Sequence, residues 1–458
     1  MDTPTPVHAA RPPDRARAQR FSYGPLHVDR AAGVLRCSYQ LDDRTFTEVV
    51  SVGGGLTWSP AALEAARLVH LLAGVSYYKA GAPPFIDLGS TPVRPGEREF
   101  LRRYYLGGLG EFSYRNGIDL SDLRIVGGAE DLPAATARET APPGGPLIPF
   151  GGGIDSIVTA DLVAAHRPNP ALFVVNRPGI RFQAIESAAE VTGLPLLRAE
   201  REIDQSLVAL ARAGTVLNGH VPITAVISAV AVLVAALRGR PEVVMSNEWS
   251  ASRGNLEVDG WSVNHQYSKS FGYERDFRAV LAGSVGGAVE WFSLLRPFSE
   301  LWVGRRFADL SRFHHVVHSC NRAFYLDPAQ RLDGWCGRCD KCCFIDLILS
   351  PFLPAAALES IFDGREPLRD ATLLPQFRVL VGLGEGIKPF ECVGDVDECR
   401  TATTLAVERP DRAGTEVLQA LMAEMGAAAS AARAAADRLL LPLGDHAIPP
   451  DLFAAALA

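Results

Sequence analysis

The segment Pro149-Phe150-Gly151-Gly152-Gly153-Ile154-Asp155-Ser156 is the part of the chain whose residue types most directly suggest chemistry. Three successive glycines let the backbone approach a ligand closely and aim N–H groups at it. A helix starting behind them adds the positive end of its dipole. Ser156 brings a hydroxyl donor, and Asp155 could hold Mg²⁺ against phosphate oxygens. The combination makes an anion cradle. It lacks the Gly-Lys-Ser/Thr of a Walker loop and the G-x-G-x-x-G spacing of a dinucleotide fingerprint. An ordinary tight turn would need neither the Asp nor the Ser at the helix start.

The second concentration is Cys336-Gly-Arg-Cys339-Asp-Lys-Cys342, with Cys320 upstream. Two x₂ spacings place three thiolates together, and Cys320 can complete a tetrahedral four-sulfur site of the structural zinc kind. An iron–sulfur cluster uses the same ligands. Cys343 is then left over. Four of the eight cysteines fall between Cys336 and Cys343, which is not the layout of a secreted disulfide framework.

Three further stretches are dense in functional side chains: Ser246 to Asn255, including Glu248 and Arg253; Asn264 to Ser270, including His265 and Lys269; and Lys388 to Gly394, including Glu391 and Cys392. Lysine is rare. Lys79, Lys269, Lys341 and Lys388 are the lysines among 45 Lys+Arg. In a background that favours Arg, a Lys persists by chance or because a compact or deprotonable charge is needed.

These residues need elements to hold them. Leu147 to Phe150 reads as a buried strand leading into a helix over Ile154 to His166. Strands over Leu172–Val175, Leu194–Leu197 and Val243–Ser246 alternate with helices over Phe182–Thr192 and 223–237. That alternation predicts an α/β fold with a parallel, doubly wound sheet, which binds ligands beyond the C-terminal ends of its strands. Ahead of it lies an α+β region over 21–130. It has short strands up to Val52, a helix over Pro60–Ala73 capped by Ser59, and a helix over Phe100–Phe112. Residues 1–20 read as a disordered tail and 131–146 as a linker. The nucleotide-binding region spans 147–345, and 346–458 reads as helical, with the Ala-rich stretch 415–441 interrupted near Gly426.

With 458 residues, 48% hydrophobic and 21% charged, the chain can bury large cores. Its net charge of −7 and scattered Arg argue against nucleic acid as a partner. The N-terminus lacks a signal-peptide apolar segment. The uncharged run 221–237 contains Pro222 and is short for a membrane span, so it reads as a buried helix of a cytoplasmic protein. Oligomeric state is not legible.

Gly151 to Ser156 resembles the S-G-G-x-D-S signature of the PP-loop ATP pyrophosphatases, with Gly151 in place of the first Ser. Followed by the four cysteines, it is similar to 7-cyano-7-deazaguanine synthase over about 147–345. Together with Ser76-Tyr77-Tyr78-Lys79-Ala80 and Glu111-Phe112-Ser113-Tyr114-Arg115-Asn116, the chain resembles the UDP-N-acetyl-α-D-muramoyl-L-alanyl-L-glutamate epimerases from about Tyr77 to Cys392. That resemblance implies a UDP-linked muramoyl dipeptide as substrate and ATP, Mg²⁺ and structural Zn²⁺ as cofactors. It implies adenylation of the Glu α-carboxylate with loss of AMP and pyrophosphate, then inversion at Cα to provide D-Glu for peptidoglycan. The nucleotide would lie on Gly151, Gly152, Gly153, Asp155 and Ser156. Lys269, His265 and Glu248 are the first choices for moving the proton, with Glu391 and Cys392 as alternatives, and Lys269 serves equally well as a fixed charge. Lys79, Arg253 and Asn255 would bind substrate, and Cys320, Cys336, Cys339 and Cys342 the metal. Rival readings are another AMP-forming enzyme of this loop class, such as an amide ligase or nitrile-forming synthase, and a zinc-stapled sensor that binds ATP without releasing AMP.

Overall fold

A computed structural model describes residues 17–129, 132, 144–258, 261–325, 328–384 and 388–458. The proposed tail up to residue 16 and most of the 131–146 linker lie outside the described residues. From residue 17 the chain is fixed, contrary to a tail reaching residue 20. Arg17 Nε donates to the Ala82 carbonyl at 2.6 Å, and the Gln19 and Arg20 amides donate to Asp42 Oδ1.

The strands are β1 (Phe21–Asp29), β2 (Val34–Leu41), β3 (Arg44–Ser51), β4 (Phe85–Asp87), β5 (Arg124–Val126), β6 (Leu147–Pro149), β7 (Ala171–Asn176), β8 (Leu196–Glu202), β9 (Glu242–Met245), β10 (Leu256–Val258), β11 (Trp261–Val263) and β12 (Glu290–Ser293). Among the described residues, ten of them form one sheet in the order β12-β9-β6-β7-β8-β3-β2-β1-β4-β5, and β10 and β11 form a separate hairpin. The segment β12-β9-β6-β7-β8 is parallel throughout. Numbered within that segment, its order is the doubly wound 3-2-1-4-5, and the strand order reverses between β6 and β9. Ligand crevices in such sheets open at that reversal, and the glycine turn leaves β6 there.

The sheet does not end at β8. β3 pairs antiparallel with it from Val49↔Glu202 to Ser51↔Glu200, so strands on both sides of the 131–146 segment share one sheet. β8 also runs longer than the strand read over Leu194–Leu197, because its charged positions are satisfied. Arg201, nearly buried, forks onto Glu48 of β3 at 2.7 and 2.8 Å.

Three helices match their predicted bounds: Ile154–His166, Ile223–Leu237 and Pro60–Ala73, the last capped by Ser59 as expected. The second is apolar all round, with most of its residues buried, and packs on the Pro60–Ala73 helix against the sheet. No helix among the described residues is long and apolar enough to cross a membrane. The single helix expected over Phe100–Phe112 is two, Glu97–Gly108 and Gly110–Asn116. A Cβ on Gly107 would come within 2.3 Å of the Tyr267 ring, and one on Gly108 within 2.5 Å of Pro222. The glycines that admit these neighbours also weaken the helix there. The C-terminal Ala-rich stretch breaks at Gly426, and its pieces are Glu416–Met425, Ala427–Ala434 and Ala436–Leu439.

Candidate active site

The glycine turn has the conformation its composition suggested. Gly152 sits at φ +75°, and a Cβ on it would lie 2.5 Å from the Ala184 carbonyl, whereas Gly151 faces open space. Gly153 caps the Ile154–His166 helix without a side-chain bond, and Ser156 Oγ donates to the Gly153 carbonyl at 3.0 Å. No backbone acceptor meets the amides of Gly151, Gly152 or Gly153 among the described residues. The result is a helix N-terminus with free donors, as an anionic ligand requires.

Behind the turn, carboxylate oxygens of Asp155, Glu248 and Glu300 lie within 4.8 Å of one another. Glu248 follows β9. Glu300 opens the Glu300–Ala308 helix, and its amide donates to Glu398 Oε1 at 2.9 Å. Asp155 Oδ1 and Glu300 Oε2 are buried without a partner. Burial and the neighbouring carboxylates push Asp155 up to about 6 and Glu300 well above its ordinary range. Buried acids with unused lone pairs form the oxygen donor set that a hard divalent cation such as Mg²⁺ takes.

Beside them lies Cys392. Lys269 Nζ donates to its Sγ at 3.1 Å, His265 hydrogen-bonds it from another side, and Lys341 Nζ holds its carbonyl. Burial pushes the thiol up, but the charges of Lys269, His265 and Lys341 outweigh this and bring it down to about 6. Burial likewise disfavours charge on His265. Its bonds to Cys392 and Glu111 overcome that and raise it to about 9, and Lys269 is raised for the same reason by Cys392 and Glu248. The imidazole is oriented from behind: Nδ1 donates to Glu111 Oε2 at 2.5 Å, and Arg115 Nε holds Glu111 Oε1 at 2.6 Å. The His220 ring lies 4.1 Å from that of His265, and burial lowers its pKa to about 4.

The segment carrying Cys392 is clamped from several directions. Asn255 Nδ2 donates to the Pro389 carbonyl at 2.8 Å, the Arg115 guanidinium stacks over Phe390 at 4.8 Å, and Asn321 bonds Glu391. Arg296 ties the opposite wall. Its Nε meets Glu274 at 2.8 Å, Nη1 the Glu248 carbonyl at 2.8 Å and Nη2 the Lys269 carbonyl at 2.6 Å.

Of the residues chosen from sequence, Gly151, Gly152, Gly153, Asp155, Ser156, Glu248, His265 and Lys269 meet here. Lys79 lies at the rim, bonded to Asn218 Oδ1 and the Gly219 carbonyl beside His220, and burial lowers it to about 8. Arg253 is exposed and stacks on Trp249 at 4.6 Å. Asn255 uses both ends of its amide inside the protein, since Oδ1 accepts from the His265 amide, so it acts as a brace. Glu111, His220 and Glu300 were not selected. Glu111 stood within a quoted motif, but His220 and Glu300 carry no local pattern that separates them from a loop and a helix start.

Sulfurs of Cys320, Cys336, Cys339 and Cys342 also lie within 4.8 Å of one another, with Cys339–Cys342 at 3.4 Å and Cys336–Cys342 at 3.6 Å. Four thiolates on a tetrahedral ion at ~2.3 Å stand about 3.8 Å apart, so this cluster can hold a metal. Cys343 is buried outside the set.

The MurL N-terminal domain model matches residues 13–294 and the MurL C-terminal domain model residues 316–436. The chain belongs to the MurL family. Curated relatives named UDP-N-acetyl-alpha-D-muramoyl-L-alanyl-L-glutamate epimerase include one from Xanthomonas oryzae pv. oryzae, 36% identical over 96% of this chain and 97% of its own length. One from a Micromonospora species is 37% identical over 96% and 98%, and one from Salinispora tropica 38% over 89% of each. No solved structure matches the chain. The two MurL domain models divide the site between them. The glycine turn, Glu248, His265 and Lys269 fall in the first, the cysteines and Cys392 in the second, and Glu300 between the two. The site is therefore assembled from both MurL domains.

Proposed function

We propose that this chain is a cytoplasmic ATP-dependent epimerase that inverts the terminal L-Glu of UDP-MurNAc-L-Ala-L-Glu to D-Glu. Membership of the MurL family, with relatives of that name aligned over nearly the whole chain, carries the reading. The turn at the reversal point of the sheet supports a PP-loop type of nucleotide site. Mg-ATP bound there would supply activation of the substrate carboxylate as an acyl-adenylate, with AMP and pyrophosphate leaving. The free amides of Gly151, Gly152 and Gly153 and the Ser156 hydroxyl would hold phosphate oxygens, and Asp155, Glu248 and Glu300 the magnesium. Lys269 supplies fixed positive charge between the carboxylates and the reacting carbon. Lys79 and Arg253, at the rim, would meet the anionic substrate. The four cysteines would hold a closed, structural zinc.

The test is one incubation in D₂O with Mg-ATP and UDP-MurNAc-L-Ala-L-Glu, read by mass spectrometry and chiral analysis of the released glutamate. AMP, one deuterium at Cα and D-Glu are expected. AMP without deuterium would favour a ligase of the same loop class, and the absence of both signals would overturn the epimerase reading.

A further inference from the structure

We propose that Cys392, as a thiolate, is the group that takes the Cα proton of the activated glutamate, with His265 and Glu111 acting as positioning residues for it. The inference rests on the epimerase reading and deepens it. A base must be unprotonated before it acts. Lys269 and His265 are each held in their protonated forms by the groups around them, which suits them as donors. Glu248 is engaged in the carboxylate cluster. The sulfur alone is faced by three positive groups: Lys269 at 3.1 Å, His265, and Lys341, which also fixes its carbonyl. The opposing negative charge is Asp155, whose buried Oδ1 has no partner and whose own acidity reflects the charges of Lys341, Lys269 and Cys392. The thiol is therefore within electrostatic reach of Asp155 at the nucleotide turn, beside which an activated carboxyl would sit. The lowered pKa of the thiol agrees with this geometry.

In the step, the Cα–H bond breaks and an S–H bond forms. The electron pair moves onto the acyl oxygen, where Lys269 and the imidazolium of His265 can receive it. The other face of Cα takes a proton from solvent and the thiol later returns its own to solvent, so no proton is gained or lost. Glu111 keeps Nδ1 of His265 occupied, which leaves Nε2–H to face the sulfur.

Two measurements on the full-length protein test this. In Cys392→Ser and Cys392→Ala, ATP–pyrophosphate exchange with the dipeptide substrate should stay within about threefold of wild type, while deuterium entry at Cα should fall by about 10²–10⁴-fold. Deuterium entry at the wild-type rate in both variants would overturn the assignment. So would loss of pyrophosphate exchange in variants with wild-type metal content and circular dichroism, because the thiol would then belong to activation. The second measurement needs no turnover. Alkylation of Cys392 by iodoacetamide, followed by peptide mapping, should have a midpoint near pH 6 in wild type and a higher one in His265→Gln. A wild-type midpoint near the ordinary thiol value would overturn it. Absence of both AMP and deuterium in wild-type protein would fail the epimerase reading itself, whereas deuterium entry at the wild-type rate without Cys392 fails this inference alone.

Discussion

At the scale of single residues, the site holds like charges together in the absence of ligand. Asp155, Glu248 and Glu300 crowd their carboxylates, and two of the three have raised pKa values. A raised carboxylate favours the protonated fold: its contribution is fully present below the unfolded pKa and is lost as pH rises through the folded one. Glu300→Gln should therefore stabilise the metal-free protein at pH 8 by on the order of 1–2 kcal/mol while abolishing AMP release. Thermal unfolding with and without Mg²⁺ checks this. Magnesium should raise the midpoint of wild type and leave the variant nearly unmoved, and an equal rise in both would remove Glu300 from the ion site. The thiol and imidazole behave differently. Cys392 favours folding increasingly from about pH 6 towards 9, and His265 loses its contribution from about 6.5 to 9. The two slopes cancel, since one proton has in effect moved from sulfur to ring. Their joint contribution should be nearly flat across that window even though both groups are strongly perturbed. Denaturant titrations at pH 6.5, 7.5 and 8.5 should therefore give wild type and the Cys392→Ser, His265→Gln double variant parallel stability profiles, and diverging slopes would show that the pairing does not exist.

At the scale of elements, the cysteine cluster and the reacting segment are mechanically joined. Cys339 caps the Asp340–Leu349 helix, Lys341 in its first turn grips the Cys392 carbonyl, and Asn321, next to Cys320, bonds Glu391. Cys339→Ser should empty the metal site, seen as loss of one zinc per chain by elemental analysis. It should also lower Cα exchange although no cysteine of the cluster touches the reacting group. Metal loss with full activity would uncouple the two. Arg296 makes a comparable joint. Removing it leaves Glu274 buried and unpaired, so Arg296→Ala should cost about 3–5 kcal/mol in urea unfolding. Sequence made some elements plain and hid others. The helix Ile154–His166 carries a glycine entry, an acid–hydroxyl start and an apolar face within thirteen residues, so local pattern sufficed. β8 contains Leu196 to Glu202 with alternating charge, and its strand character depends on Glu48, which lies far away in sequence and was not visible as a partner. The same holds within the site. His265 and Lys269 share one polar run and were readable. Glu111, His220 and Glu300 join them only through tertiary packing, and Cys392 was one of several alternatives until Lys269 and His265 were found against it.

At the scale of the whole molecule, one sheet crosses what the sequence suggested was a domain boundary. β3 from the first region extends the parallel strands by pairing with β8, and the aromatic core around Tyr39 and Tyr77 continues beneath the Ile223–Leu237 helix. Burial of that core should hold the halves together without a covalent link. A chain cleaved between Ala129 and Gly144 should elute as one species in gel filtration and keep its activity. Separation into two peaks under native conditions would show that the seam is weak. The lysines, finally, give the molecule a property of practical use. Lys79 lies beside His220, Lys269 and Lys341 hold Cys392, and Lys388 lies four positions before it, while every other basic side chain outside the histidines is an arginine. An amine-selective acylating reagent, unspecific on most proteins, meets the lysines of this chain only around one crevice, with Lys79, lowered to about 8, reacting ahead of Lys269, whose pKa is raised, and of the buried Lys341, so ordinary labelling chemistry becomes a footprint of the site.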